Sequence, residues 1–221
     1  MKLLLTSAGI KNASIHEALV DLLDKPIAEC SALCIPTASY ALRNGPLMAW
    51  RFISGQEPEC PMCELGWKSV GVLELTALPS IDKALWEPMV QETDVLLVNG
   101  GDPLYLHYWM RQSGLADLLP SLNTLYVGLS AGSMVMAPNI GQYFVGWTPP
   151  TGGDETLGLV DFAIFPHLDH EMLPYNTLAH AEKWAATMQV PGYAMDDETA
   201  IKVVNGTAEV ISEGHWKLLT P

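Results

Sequence analysis

The sequence holds a serine between two glycines at a spacing typical of a catalytic nucleophile. An apolar run at 125–127 leads into Gly128-Leu129-Ser130-Ala131-Gly132. This pattern predicts a strand, a sharp turn that carries Ser130, and a helix. Both glycines lie where a side chain would collide with the neighbouring strand or with the tight start of the helix. We therefore expect Ser130 to be the nucleophile of an acyl-transfer reaction.

A second segment that could take part in this chemistry lies earlier in the chain. A predicted strand at 94–98, apolar from Val95 onward, is followed by Asn99-Gly100-Gly101-Asp102-Pro103. Glycines leave backbone N–H groups uncovered, and such groups can stabilise the oxyanion that forms when a serine attacks a carbonyl. The segment is therefore expected to lie opposite Ser130.

A serine nucleophile needs a base within hydrogen-bonding distance, and the chain has six histidines. His167 follows Ile164-Phe165-Pro166 at the end of a predicted strand. This position places it at the same sheet edge as Ser130. We assign the base role to His167 and keep His170 as the alternative.

The acid that would orient this histidine is sought among several carboxylates. Residues 195–200 read Met-Asp-Asp-Glu-Thr-Ala, at the end of a predicted strand. The competing carboxylates are those of Asp154, Glu155 and Asp161. With an acid from residues 196–198, the chain order is serine, histidine, acid. That order differs from the serine, acid, histidine order of α/β-hydrolases and argues against their fold.

The elements that must position these residues alternate over residues 1–140. Strands are predicted at 2–7, 32–35, 69–75, 94–98 and 125–129, and helices at 14–23, 81–90, 104–113 and 130–136. Such alternation indicates βαβ units, in which helices cover both faces of a parallel sheet. Sites in these sheets form at the carboxyl ends of strands, so residues 99–103 and Ser130 should be neighbours.

The pattern changes after residue 140. A strand is predicted at 159–165, a helix at 172–188, and short strands at 193–195, 200–204 and 208–212. Residues 40–66 carry scattered glycines and prolines, which predict a broken helix or a long connection that forms a lid or a partner surface. No repeat or linker interrupts the chain, so we expect one catalytic domain over residues 1–221.

The composition argues against several classes of protein. Twenty-five acidic and 11 basic residues give a net charge of −14, which disfavours binding to nucleic acid or to an anionic membrane. No apolar run is long enough to span a bilayer, and the apolar run at the start is too short for a secretory signal. We therefore expect a cytoplasmic protein without nucleic-acid or membrane partners. The oligomeric state stays open, with a homodimer as one option.

The four cysteines give a weak signal. Cys30 and Cys34 lie on or beside a predicted strand, where cysteine acts as a small hydrophobic residue. Cys60-Pro61-Met62-Cys63 is a single CxxC pair without a second ligand pair. A zinc site, a regulatory disulfide and plain thiols are all compatible with it, and plain thiols are favoured. The chemistry proposed for Ser130 requires neither a metal nor an organic cofactor.

Taken in order, these motifs resemble the peptidase E family of serine peptidases, the α-aspartyl dipeptidases, to which the cyanophycinases are related. The matching segments are Ile35-Pro36-Thr37-Ala38-Ser39, Asn99-Gly100-Gly101-Asp102-Pro103, Gly128-Leu129-Ser130-Ala131-Gly132, Phe165-Pro166-His167 and Asp196-Asp197-Glu198-Thr199-Ala200. The resemblance implies an α/β fold, a three-layer sandwich with a mostly parallel central sheet, similar to the class I glutamine amidotransferases.

The resemblance also implies roles for individual residues. Ser130 matches the nucleophile, His167 the base and Asp197 the acid, although family members commonly have glutamate at the acid position. The adjacent Glu198 is therefore the alternative acid. The backbone N–H groups of Gly101 and Ala131 match the oxyanion hole.

The implied substrate is a short peptide, cut as by a dipeptidase through an acyl-enzyme. In the α-aspartyl dipeptidases an arginine after the catalytic histidine contacts the acidic side chain of the substrate, but residues 168–183 contain no arginine. Lys183 and a protonated His180 are the cations that remain, and neither offers a bidentate planar group. A preference for N-terminal aspartate therefore stays open. Further candidate substrate-binding residues are Asn99, Asp102, His170 and Glu198.

Two further expectations concern access to the site and competing functions. The loop at 148–156 and the segment after His167 are expected to form a narrow mouth. The competing functions are an amidohydrolase acting on a non-peptide or β-aspartyl amide, as in cyanophycinases, and a non-catalytic binding protein with the same fold.

Overall fold

The computed structural model describes residues 1–221 and contains ten strands in two sheets. The strands are β1 (Lys2–Thr6), β2 (Ser31–Ile35), β3 (Ser69–Val72), β4 (Val95–Val98), β5 (Leu125–Leu129), β6 (Ala163–Phe165), β7 (Gly192–Met195), β8 (Thr199–Val204), β9 (Thr207–Ser212) and β10 (Trp216–Leu219). The larger sheet has the order β3-β2-β4-β5-β1-β8-β9, and the smaller has the order β10-β7-β6.

Seven α-helices connect and cover these strands. They are α1 (Ala13–Leu23), α2 (Gly45–Ile53), α3 (Lys83–Glu92), α4 (Pro103–Ser113), α5 (Leu115–Leu118), α6 (Ala131–Met134) and α7 (Leu178–Ala185). Short 3₁₀ turns join several of them, including one at Thr37–Ala41 after β2. None of the helices combines the length and the apolar character that a bilayer crossing requires.

The larger sheet is parallel over its first five strands. Strands β3, β2, β4, β5 and β1 run in one direction, and β8 and β9 continue the sheet as antiparallel strands. The register pairs Thr6 with Leu129 and Val98 with Gly128. The carboxyl ends of β1, β4 and β5 therefore meet at one edge, as the sequence predicts for a βαβ arrangement.

Alternate residues of the strands enter two different apolar cores, one on each face of the sheet. Leu4, Leu97 and Val127 pack with α1 and with Phe52 of α2. On the opposite face, Leu96 and Tyr126 pack with residues of α3, α4, α5 and α6. A sheet covered by helices on both faces is a three-layer α/β sandwich, which is the predicted fold class.

The smaller sheet lies beside this sandwich and shares its core. Ile164 of β6 and Met195 of β7 belong to the same apolar cluster as α4 and α6. Their neighbours Ala163 and Phe165 face the other way and pack against Trp184 of α7. Because β7 leads directly into β8 of the larger sheet, the chain crosses from one sheet to the other at residues 196–198.

Several element boundaries differ from the sequence-based expectation, each for a local reason. Helix α1 begins at Ala13, one residue earlier than expected, because Asn12 caps it and its Oδ1 accepts the Ile15 N–H at 2.9 Å. Helix α3 begins at Lys83, two residues later than expected, because Asp82 caps it and residues 78–80 form a 3₁₀ turn. The expected helix at 172–188 is reduced to α7 because residues 169–176 form turns, closed by the bond from Asp169 N–H to Asn176 O at 2.7 Å.

The turn between β5 and α6 depends on close contact between backbones. A Cβ atom on Gly128 would lie 2.5 Å from the carbonyl oxygen of Gly132, and a Cβ on Gly132 would lie 2.3 Å from the carbonyl oxygen of Val98. Contacts this short are not tolerated by carbon atoms. The two glycines thus allow α6 to begin directly against the ends of β4 and β5.

We expect Gly132→Ala to lower the free energy of unfolding by about 3 kcal/mol, because the added methyl group meets rigid backbone. Gly71→Ala is the matched control, since its Cβ would meet only the flexible end of Leu33, at 2.8 Å. Its cost should stay below about 1 kcal/mol. Urea unfolding of both variants measures the difference, and equal losses would contradict the backbone-contact explanation.

Candidate active site

Ser130 lies at the tip of the turn between β5 and α6, in a strained backbone conformation. Its φ is 49° and its ψ is −109°, values that non-glycine residues rarely adopt. The strain is held in place by the bond from Ser130 N–H to Thr6 O at 3.0 Å and by the bonds from Ser133 and Met134 N–H to Ser130 O. The turn therefore presents the Ser130 side chain at the carboxyl edge of the sheet, as in a nucleophile elbow.

The loop after β4 faces Ser130 and is fixed by the loop after β2. Gly101 has a φ of +142°, and a Cβ there would lie 2.3 Å from the carbonyl oxygen of Ala38. Asp102 N–H donates to Ala38 O at 3.0 Å. Asn99 accepts the Gly100 N–H through Oδ1 at 2.8 Å and donates to Ser39 Oγ at 2.9 Å. Asn99 therefore shapes the loop in addition to lining the pocket described below.

Two backbone N–H groups at this edge remain free. The N–H groups of Gly100 and Ser130 donate to protein acceptors, whereas those of Gly101 and Ala131 have no acceptor within the protein. Gly101 lines the same pocket as Ser130, and Ala131 follows Ser130 directly. These two groups are thus the donors available to an oxyanion, and they are the pair that the family resemblance implies.

His167 connects Ser130 with a carboxylate. It follows β6, and its Nε2 lies 2.9 Å from Ser130 Oγ while its Nδ1 lies 2.6 Å from Asp197 Oδ1. Like Ser130, it has a positive φ, 57°. Asp197 lies in the crossing between β7 and β8. Three residues from three segments therefore form one continuous line of hydrogen bonds.

The surroundings of Asp197 favour its ionised form. Burial alone would raise the pKa of the carboxyl, but the hydrogen bond from His167 and the charges of His167, His170 and Lys11 outweigh it and hold the pKa below its ordinary value. His170 lies beside the other carboxylate oxygen, with its Nε2 3.5 Å from Asp197 Oδ2. Glu198 points elsewhere, and its Oε2 accepts Asn12 Nδ2 at 3.1 Å.

Ser7 belongs to the site, although no sequence motif indicates it. It follows β1 and is fully buried. Its Oγ accepts the His167 N–H at 2.8 Å and lies 3.4 Å from Asp197 Oδ1. Ser7 therefore holds the backbone of one member of the line and contacts the side chain of another. Its only sequence signal is its position after a strand whose neighbour carries Ser130.

A pocket of about 210 Å³ opens beside Ser130. One wall is formed by His167 and the 99–101 loop, and the other by the chain segment that includes α2. The residues that this segment and β5 contribute are Met48, Phe52, Glu57, Cys60 and Leu129. The segment at 40–66, expected to form a lid or a partner surface, thus contributes a wall of the pocket.

Several residues expected to bind substrate lie outside this pocket. Asp102 is buried and caps α4, with its Oδ1 accepting the N–H groups of Leu104 and Tyr105. His180 contacts Thr177 Oγ1 at 2.8 Å, and Lys183 is exposed on α7. His170 and Glu198 line a separate depression on the far side of Asp197.

The expected mouth at 148–156 is also absent from the pocket lining. The start of this segment is held elsewhere, because Trp147 N–H donates to Asp102 Oδ2 and the Trp147 ring packs on Tyr105 and Tyr108 at centroid distances of 5.4 Å. Glu155 forms an isolated β-bridge with Asn139. The wall that faces the 99–101 loop comes from α2 instead.

All four cysteines are free thiols. Cys30, Cys34 and Cys63 are buried in the core cluster that contains α1. Cys60 lines the pocket, and its thiol is held protonated because burial raises its pKa to about 11, with the negative charges of Asp197 and Glu57 acting in the same direction. No group of three His, Cys, Asp or Glu side chains is placed to hold a metal ion.

The lowered pKa of Asp197 predicts a pH-dependent contribution to stability. The ionised carboxylate stabilises the fold fully above the ordinary aspartate pKa of about 4, and this stabilisation is lost as the pH falls through the lowered folded-state value. The difference in free energy of unfolding between the wild type and Asp197→Asn should therefore shrink between about pH 6 and pH 2. Urea unfolding over this range measures it, with Asp161→Asn, at an exposed carboxyl, as the control. A difference that is constant or grows on acidification would contradict the assignment.

Two solved structures share this fold. A candidate peptidase E protein from Listeria monocytogenes EGD-e matches with a TM-score of 0.68 and 19% identity, covering 96% of this chain and 98% of that chain. A peptidase from an acI-B1 Actinobacterium matches with a TM-score of 0.65 and 19% identity, covering 99% and 90%. At this level of identity the likeness concerns the fold, and it confirms the predicted α/β class.

Similarity in sequence points to the same group of proteins. An uncharacterized peptidase of Pasteurella multocida is 28% identical over 131 residues, which are 56% of this chain and 62% of the relative. The chain thus spans less than two thirds of the length of that relative. The profile of peptidase family S51 matches residues 3–211, a range that includes Ser130, His167 and Asp197. The chain therefore belongs to peptidase family S51, which confirms the predicted class of serine-type peptidases.

Proposed function

We propose that the protein is a serine peptidase that hydrolyses short peptides as a dipeptidase, releasing the N-terminal residue through an acyl-enzyme. The observation that carries this proposal is the line of contacts from Asp197 to His167 at 2.6 Å and from His167 to Ser130 at 2.9 Å. A nucleophile, a base and an orienting acid in this arrangement are the requirements for nucleophilic acyl transfer.

The reaction begins with attack by Ser130 Oγ on the peptide carbonyl carbon. His167 Nε2 takes the hydroxyl proton as the bond forms, and the carbonyl oxygen becomes an oxyanion. His167 then gives this proton to the leaving amine, so that the C–N bond breaks and an ester remains on Ser130. Water, deprotonated by the same nitrogen, attacks the ester and releases the acid.

The remaining groups stabilise the charges that develop during these steps. The free N–H groups of Gly101 and Ala131 donate to the oxyanion, and such preorganised donors contribute more inside a pocket than in water. Asp197 fixes the tautomer of His167 and stabilises the imidazolium without taking the proton itself. Its lowered pKa keeps it ionised at the pH at which the histidine works.

The size of the pocket supports a small substrate. Its volume of about 210 Å³ is below the range of about 300–1,000 Å³ that is typical of sites for larger ligands. One amino-acid residue on the acyl side of the scissile bond matches this space. A short peptide is therefore the substrate class that we propose, with its N-terminal residue in the pocket.

Replacement of Ser130 tests the proposed activity. Ser130→Ala is expected to lower kcat by about 10⁶-fold, as loss of the nucleophile does in other serine peptidases, whereas Ser121→Ala, at an exposed serine, should leave it unchanged. The assay is hydrolysis of Ala-Leu, Leu-Ala, Glu-Leu, Asp-Leu and a β-aspartyl dipeptide, followed by release of the amino acids.

Labelling with a serine-reactive phosphonate separates the competing functions. Labelling of Ser130 without cleavage of any α-linked dipeptide would favour an amidohydrolase that acts on another amide. Absence of both labelling and cleavage in the folded protein would favour a binding protein and would contradict the proposed activity.

The identity of the acid generates a separate prediction. Asp197→Asn is expected to reduce kcat by about 10⁴-fold, because an amide stabilises the wrong tautomer of the histidine. Glu198→Gln is the matched control, since this neighbouring side chain contacts Asn12 and not His167. Steady-state kinetics on the best dipeptide measure both variants. A larger loss for Glu198→Gln than for Asp197→Asn would transfer the role to Glu198.

A further inference from the structure

The pocket beside Ser130 contains one carboxylate that the proposed mechanism does not use. Apart from His167 and Cys60, Glu57 is the only ionisable side chain of the lining, and no lysine or arginine lines the pocket. The wall that carries it also holds the apolar side chains of Met48 and Phe52 of α2. The pocket therefore places a single carboxylate beside apolar side chains, opposite the wall with Ser130 and His167.

The Glu57 carboxylate is free to meet a ligand. It takes part in no hydrogen bond or ion pair within the protein, whereas other acids of this region are engaged. Glu64 Oε2 accepts the Met62 N–H at 3.0 Å, and Glu59 faces Lys11 at 3.9 Å. A charged group that borders a partly enclosed pocket is stabilised by a partner of opposite charge.

The backbone that carries Glu57 is held in place. The Gln56 N–H donates to Arg51 O at 2.8 Å, and the Cys60 N–H donates to Glu57 O at 2.9 Å. The same segment is tied to the loop after β1 by the bond from Ile10 N–H to Pro61 O at 2.9 Å. The carboxylate is thus presented from an ordered turn that follows α2.

The charges around the pocket disfavour an acidic substrate. The negative charges of Asp197, Glu57 and Glu59 act on the Cys60 thiol, and they are opposed by one cation, Lys11, which does not line the pocket. A substrate carboxylate placed there would lose hydration and meet no lysine or arginine in the pocket lining, which is unfavourable. An ammonium group would instead be compensated by Glu57.

We propose that Glu57 binds an ammonium group of the N-terminal residue of the substrate, and that the pocket selects peptides whose N-terminal side chain is apolar or basic over those with N-terminal aspartate. This inference rests on the proposed function, which places the N-terminal residue in this pocket. The ammonium is either the α-ammonium or the side chain of lysine, and the two share the same chemistry.

The test compares the wild type with Glu57→Gln and with the matched control Glu59→Gln, on Ala-Leu, Lys-Leu and Asp-Leu. We expect the wild type to cleave Ala-Leu and Lys-Leu with a higher kcat/KM than Asp-Leu. Glu57→Gln should lower kcat/KM about tenfold for the preferred peptides, mainly through KM, which corresponds to about 1.4 kcal/mol. Asp-Leu should lose less than these peptides, because weaker attraction for its α-ammonium is offset by relief of the repulsion between Glu57 and its side-chain carboxylate. Glu59→Gln should behave like the wild type.

The pattern of loss identifies the source of the ammonium. An equal loss for Ala-Leu and Lys-Leu assigns the α-ammonium, and N-acetyl-Ala-Leu should then be insensitive to Glu57→Gln. A loss for Lys-Leu alone assigns the side chain. A charge-reversing variant, Glu57→Lys, should shift the preference toward Asp-Leu. An equal change for all three peptides, or the same change in Glu59→Gln, would overturn the inference.

Binding measurements separate this inference from the proposed function. In a Ser130→Ala background, calorimetry should show weaker binding of Lys-Leu when Glu57→Gln is added, whether or not the wild type cleaves it, and weaker binding of Ala-Leu as well if the α-ammonium is the bound group. Binding that depends on Glu57 without any cleavage would retain the recognition site and reject the peptidase function. Cleavage that is insensitive to Glu57 would retain the peptidase function and reject the inference.

Discussion

Close contact between backbones at the carboxyl edge of the larger sheet is the constraint on which the site depends. Gly128, Gly132 and Gly101 each lie where a Cβ would be 2.3 to 2.5 Å from a backbone atom of another segment. Because these side chains are absent, α6 can start at the end of β5 and the 99–101 loop can lie against the loop after β2. The strained conformation of Ser130 and the free N–H groups of Gly101 and Ala131 both follow from this packing.

The second requirement is that two sheets meet at the same place. Ser130 comes from the larger sheet, His167 follows a strand of the smaller sheet, and Asp197 lies where the chain crosses between them. Ser7 joins the sheets, since it follows β1 and bonds to the His167 backbone at 2.8 Å. The relative position of His167 and Ser130 thus depends on a buried hydroxyl as well as on the two side chains themselves.

The parts of this arrangement that the sequence predicts are those with a repeated or paired physical signal. Buried parallel strands are continuously apolar, so four of the five parallel strands were placed to within one residue, while β3 ends at Val72 and not at residue 75. The elbow was recognised because its two glycines and its serine constrain one another. The order of Ser130, His167 and Asp197 in the chain was sufficient to separate this fold from the α/β-hydrolases.

The missed parts depend on tertiary contacts that leave no local pattern. The sequence analysis does not predict β10. The predicted helix at 172–188 is longer than α7, because apolar residues continue through the turns before it and the hydrogen bonds of these turns leave no periodic pattern. The roles of Ser7 and Glu57 come from segments distant in sequence that meet only in the folded protein. The wall formed by α2 was hidden in a stretch whose glycines and prolines indicate irregular structure.

The two walls of the pocket contribute different groups. The wall with Ser130, His167 and the 99–101 loop carries the groups that any acyl transfer by serine requires, and its geometry is determined by backbone packing. The wall from α2 to Cys60 contributes side chains that touch none of these groups through hydrogen bonds, so it can change without disturbing them. The absence of arginine from residues 168–183 and the presence of Glu57 in the pocket act in the same direction. The absent arginine would have been a cation for a substrate carboxylate, and Glu57 repels such a carboxylate. Glu57 instead offers an opposite charge to an ammonium group. Recognition of the substrate can therefore depart from the aspartyl preference of the dipeptidases while the arrangement of nucleophile, base and acid is kept.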